Sequence, residues 1–241
     1  MKADAPFAFL DERRYFDAMK AIDRLTEAHA AAQAGRHEEA LSEYIWFHEH
    51  ALAEDRALRG VRLSFALAFW KELGEAYQPA MKALLALRDR KVSILASGVD
   101  DWDLFKDASA LNDTLGDQRN THDLFKHIND QRPDFADHCI GVAMPSLVAC
   151  GDFELARSFM EDPETVFARR IDRLNDEVIF AKERPVPEKQ DRMLDAFAEL
   201  TARDLQMFEQ VLRHTEGEAK TVELLASALQ AIDDLDMREA V

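Results

Sequence analysis

Leu115-Gly116-Asp117-Gln118-Arg119-Asn120-Thr121-His122-Asp123-Leu124-Phe125, running on to Pro133, is the stretch that decides the fold. Gly116 suits the position just past a helix end, because a residue without a side chain closes a helix at little cost. A short polar turn follows, then a second run with helically spaced apolar residues. Pro133 then opens the next element, since a first helical turn needs no proline N–H. Together these features make a helical hairpin. Gly35, Gly74 and Gly151 head similar arrangements, and successive glycines are 39, 42 and 35 residues apart. One hairpin of this kind cannot bury its apolar face alone, so the hairpins are expected to stack.

Working outward, apolar residues recur at three- and four-residue intervals along nearly the whole chain. Phe7, Phe9 and Leu10 precede Phe16, Met19, Ile22 and Leu25 in a helix expected to end at Gly35. Ala40, Leu41, Tyr44, Ile45 and Phe47 mark the next, up to a polar break at Glu54-Asp55-Arg56. Val61 to Leu73 reads as one helix before Gly74, and Pro79 suits a first turn. Asp100 or Asp101 is placed to cap a helix carrying Trp102, Leu104, Phe105, Ala108 and Leu111. Pro145 is expected to kink the helix after Pro133, and Asp162-Pro163 to open another. Glu183-Arg184-Pro185-Val186-Pro187 reads as a linker or corner, because two prolines so close cannot continue a helix. Beyond it, Thr215-Glu216-Gly217-Glu218 has the spacing of a capping box, and the tail at Asp233-Asp234-Leu235-Asp236 is expected to fray. The organisation expected is a helical-repeat domain over 1–184 and a C-terminal helical hairpin over 185–241.

Composition agrees with an all-α chain. Only 8 glycines and 7 prolines occur in 241 residues, too few turn formers for an all-β fold, while hydrophobic residues make up 47% and charged residues 32%. Lys and Arg number 30 against 47 Asp and Glu, a formal charge of −17. Such a chain is repelled by nucleic-acid phosphates and anionic membranes, and is compatible with a basic protein or peptide partner. Cys139 and Cys150 fall about 16 Å apart along one expected helix, too far to bridge, and read as small buried hydrophobes. The acidic, proline-broken start and the lack of any 18-residue apolar run lead to a cytoplasmic expectation.

Thr121, Phe125 and Pro133 carry a resemblance to the tetratricopeptide-repeat (TPR) family, whose second helix has Ala, an aromatic four residues on and Pro eight beyond that; here Thr replaces Ala. Gly35 to Tyr44 also looks like the hinge and second helix of such a repeat. First-helix positions fit before Gly74 (Leu63, Ala66, Leu67, Trp70) and before Gly151 (Ile140, Ala143, Met144, Leu147), whereas Arg24 and Glu27 before Gly35 depart from the pattern. The resemblance covers roughly residues 10 to 160. It implies a TPR-like solenoid with first helices lining a concave groove, where Lys71 and Asn112 would meet a peptide backbone. It implies no activity, because the matching residues are packing residues.

Residues with chemistry are few. His48-Glu49-His50 puts two imidazoles about 200° apart around a helix, so they cannot share an ion, and no His-Glu-x-x-His or Glu-x-x-His occurs. Asp123 with His127 and Asp134 with His138 are i,i+4 pairs that could tune an imidazole or simply pair on the surface. No Gly-x-Ser-x-Gly turn or phosphate-cradling loop is present. Arg56, Arg59 and Arg62 form the clearest basic cluster, able to receive a carboxylate or phosphate or to pair with Glu54 and Asp55. The candidate binding residues are therefore Arg59, Arg62, Lys71, Asn112 and His138, with no catalytic group, metal or cofactor expected. The function expected is a protein- or peptide-binding module, either an adaptor or an acidic inhibitor or immunity-type partner of a basic protein. The alternative is a small-ligand binder or enzyme with a pocket against the C-terminal helices, using His48, His138 or Arg62. A homodimer through the C-terminal helices fits either.

Overall fold

The computed structural model describes residues 8–183 and 187–241, and among these every regular element is a helix. Phe7 and the Arg184-Pro185-Val186 part of the expected linker lie outside the described residues, as do the side chains of Phe9, Leu10 and Phe16. The elements are α1 (Ala8–Gln33), α2 (His37–Glu54), α3 (Arg59–Leu63), α4 (Phe65–Ala76), α5 (Gln78–Ala96), α6 (Trp102–Leu115), α7 (Gln118–Gln131) and α8 (Pro133–Ala149). There follow α9 (Phe153–Ser158), α10 (Pro163–Lys182), α11 (Pro187–Thr215), α12 (Glu218–Gln230) and α13 (Leu235–Ala240). None of the described helices is long and apolar enough to cross a membrane.

Two compact units divide at Met1–Cys139 and Ile140–Val241, inside α8 rather than at the Glu183–Pro187 stretch. In the first unit α1 packs on α2 and α4 on α5, and contacts also join α2 to α4, α4 to α6 and α5 to α7. Its core runs through Leu25, Ala28, Ala40, Tyr44, Phe47, Ala51, Leu67, Trp70, Leu84, Leu87 and Leu111. Each large side chain in such a core contributes about 1.5–3 kcal/mol by leaving water. The second unit closes around Phe167, Ile171, Leu174, Leu205, Leu212, Ala228, Ile232 and Met237.

The helix ends follow local chemistry. Gly116 takes φ 71°, Asp117 then donates its N–H to the Asn112 carbonyl, and the Asp117 carboxylate caps α7 at the Asn120 N–H. Asp101 caps α6 at Leu104, and Asp162 caps α10 at Thr165. Arg24 forms a two-pronged pair with Glu43 and lies 3.6 Å from the centroid of Trp46, which ties α1 to α2 by charge and stacking.

Four readings are corrected. Gly74 is no hinge: it is buried within α4, where a Cβ would stand 3.1 Å from the Met81 backbone, so its smallness serves the approach of α4 to α5. The expected single helix from Val61 to Leu73 breaks at Ser64, whose hydroxyl donates to the Gly60 carbonyl at 2.7 Å. Thr215 does not cap α12. It ends α11 with its hydroxyl on the Val211 carbonyl, and Gly217 occupies the cap position. The tail does not fray, because Asp234 caps α13 and Met237 is buried in the second core.

Candidate functional site

Arg59, Arg62, Lys91, Asp103 and Asp107 form a charged cluster next to a cleft between α2, α4 and α5. Arg59 and Arg62 lie one turn apart on α3, and Asp103 and Asp107 one turn apart on α6, so the two arginines meet the two aspartates as parallel rungs. Arg62 grips Asp107 through both terminal nitrogens, at 2.7 and 2.6 Å, and its Nε donates to the His48 carbonyl at 2.6 Å. Lys91 on α5 donates to the same carboxylate at 2.7 Å. Burial alone would raise the Asp107 pKa, but the hydrogen bonds and charges of Arg62 and Lys91 reverse that and hold it below the ordinary value. On the outer rung, Arg59 holds the Asp103 pKa down at about 2.

His48 completes the cluster. Its Nε2 accepts a hydrogen bond from Arg62 at 3.1 Å, and since arginine cannot accept, the ring proton sits on Nδ1. That Nδ1–H is buried and has no hydrogen-bond partner within the protein. The residue is 3% exposed. Burial, with the charges of Arg62, Lys91 and Arg90 outweighing Asp107, lowers its pKa to about 3, so the imidazole is neutral in neutral solution. His50 lies on the exposed side of α2, with Nδ1 donating to the Trp46 carbonyl at 2.9 Å.

The cleft next to this cluster has a volume of about 290 Å³. Its walls are Ile45, His48 and Glu49 from α2, Trp70 from α4, and Ala83, Ala86, Leu87 and Arg90 from α5. Trp70 is held in place by its indole N–H, which donates to the Ala80 carbonyl at 3.0 Å.

The expected binding residues fall in four separate places. Arg59 and Arg62 belong to the cluster, though Arg62 is buried and both pair with α6 rather than with Glu54 or Asp55. Asn112 is fully buried and cannot line a groove: its amide oxygen accepts from Arg88 at 3.1 Å and its nitrogen donates to the Thr121 hydroxyl at 3.0 Å. This bond gives the Thr121 hydroxyl its role. Lys71 is half-buried on α4 and is not part of the cleft lining.

His138 lies elsewhere, exposed, in a shallow cleft of about 360 Å³ with Asp100, Trp102, Asp134 and Phe135. It donates to the Asp134 carbonyl at 2.7 Å rather than to the carboxylate, and His127 likewise bonds the Ala96 carbonyl instead of Asp123. Arg132 pairs with Asp100 at 2.6 Å and lies 5.6 Å from the Phe135 centroid, while Lys106 sits 3.5 Å from the Trp102 centroid.

Asp107, Lys91, Arg90 and Trp70 are site residues that the sequence did not single out. The signal that could have found Asp107 is the matched one-turn spacing of Arg59/Arg62 and Asp103/Asp107. Among known proteins, the chain matches no family model, no curated protein and no solved structure.

Proposed function

We infer that the first unit is a divergent stack of TPR-like hairpins acting as a non-catalytic binding module for a basic protein or peptide segment. The hairpin stack is supported by the pairing of α1 with α2 and α4 with α5, by the contacts from α2 to α4 to α6, and by left-handed glycines at Gly35 and Gly116. Binding rather than turnover is supported by the His48 cluster, whose ionisable groups hold one another in fixed pairs.

The observation that carries the choice of partner is the cleft at His138. Trp102 is 46% exposed there, in a cleft it shares with Asp100 and Asp134, on a chain with a formal charge of −17. Two of the protein's own cations already use these rings and carboxylates, which is the chemistry a lysine- or arginine-bearing segment would repeat. An adaptor for a basic protein, or an acidic inhibitor of one, would both use this surface.

The test is titration of the full chain with an Arg/Lys-rich peptide and with its Glu-rich counterpart, following the Trp102 indole signal by NMR. Binding of the basic peptide alone, weakened by salt and by Trp102→Ala or Asp134→Lys, is the expected result. Equal response to both peptides, or no response at Trp102, refutes it. Self-association through α11 and α12, which expose Leu200 and Val222, is part of the same reading and is decided by light scattering.

A further inference from the structure

We propose that the cleft between α2, α4 and α5 binds a compact apolar carboxylic acid, its carboxylate at His48 and Arg90 and its hydrocarbon body against Ile45, Trp70, Ala83 and Leu87. This site is separate from the His138 surface and does not depend on a basic partner.

The ligand's size follows from the volume. At about 290 Å³ the cleft falls just short of the roughly 300–1,000 Å³ that hold drug-sized molecules, so it suits a ring or a short branched chain. Its apolar character follows from the walls, where an indole, an isoleucine, a leucine and two alanines face a body without polar atoms.

The ligand's charge follows from His48 and its neighbours. Arg62 occupies Nε2 and thereby fixes the ring as an Nδ1–H donor, so a residue that lines the cleft carries a buried donor with no acceptor of its own, which a ligand meets once the ring gives way slightly toward it. A buried donor left unpaired is costly, and an acceptor that enters recovers that cost. The charges acting on His48 are Arg62, Lys91 and Arg90 on the positive side and Asp107 on the negative. Arg62 is buried and the Lys91 side chain is only 13% exposed, so solvent screens them little. Glu49, the carboxylate in the lining, is exposed and screened. An acidic protein thus places a net positive field at His48. A carboxylate satisfies both the donor and the field, and with the donor tautomer already fixed it does so at little ordering cost.

The experiment uses the full chain and three probes that share one apolar body: phenylacetate, phenylacetamide and phenethylamine. Binding is followed by NMR at the Trp70 indole and the Ala83 and Ala86 methyls. Phenylacetate is expected to shift these signals and to bind about ten-fold tighter than phenylacetamide, the scale of one charge-assisted hydrogen bond. Phenethylamine is expected to leave them unmoved. Arg90→Gln, on the exposed rim, should weaken phenylacetate several-fold without changing phenylacetamide, and Ala86→Phe should abolish both by filling the cleft. Tighter or equal binding of the amide or the amine overturns the inference, as do shifts confined to residues away from the cleft and silence from all three probes. The Trp102 indole, followed in the same spectra, reports on the basic-peptide reading independently.

Discussion

Acidification from pH 7 to pH 5 should destabilise the first unit through His48. The folded pKa is about 3, against 6.5 for an ordinary histidine, so in between the unfolded chain takes up a proton that the folded chain refuses. The stabilisation is complete above pH 6.5 and is lost as pH falls through 6.5 toward 3. With those two values the loss at pH 5 is about 2 kcal/mol. For chains of 150–250 residues each kcal/mol moves Tm by roughly 2–4 °C, so Tm should fall by about 4–8 °C. Asp107, held below the ordinary carboxylate value by Arg62 and Lys91, keeps its charge across this interval and does not contribute. The assay is thermal unfolding by circular dichroism at the two pH values for the wild type and for His48→Gln, whose side chain can accept from Arg62 without titrating. The wild type should lose the stated amount and the variant much less. Equal losses in both proteins, or a wild type indifferent to pH, would refute the reasoning.

Arg62→Ala leaves Asp107 buried with Lys91 alone and should cost about 3–5 kcal/mol in urea unfolding, the usual result of removing one partner from a buried pair. Gly74→Ala should destabilise by about 1–3 kcal/mol, because its new methyl meets the Met81 backbone, whereas Gly60→Ala, which faces open space in α3, should stabilise by about 0.5–1 kcal/mol. Thermal melts of both variants check the contrast. Thr121→Val removes the acceptor of the Asn112 amide and should cost about 1–3 kcal/mol in the same urea assay.

Local features of the fold were legible because short-range chemistry decides them. Asp101 and Asp162 cap the helices they precede, and Gly116 and Gly151 take the left-handed conformation just past helix ends. Where the expectation failed, a longer-range term won. Gly74 carries the same residue type as the hinges, but its role is set by Met81 in the next helix, a packing constraint with no local signature. Thr215 and Glu218 have capping-box spacing, yet α11 continues through the threonine and Gly217 takes the cap position. The C-terminal tail looks solvated from its aspartates, but Met237 finds the core of the second unit. The candidate site was half visible. Arg59 and Arg62 stood out as a basic pair in an acidic chain, while Asp107 lies 45 residues beyond Arg62 and could be chosen only by the arrangement of α3 against α6.

The carboxylate of Asp107 is where α3, α5 and α6 meet, and Arg62 extends that junction to the main chain of α2. Stacked helix pairs ordinarily part from one another one at a time, each boundary yielding on its own terms. Here a single knot of charge spans four helices, so pulling on either end of the unit, or letting a protease probe it, should find the middle resisting as one block. Amide exchange would then be slowest and most uniform on either side of the knot, and fraying would be confined to the ends beyond it.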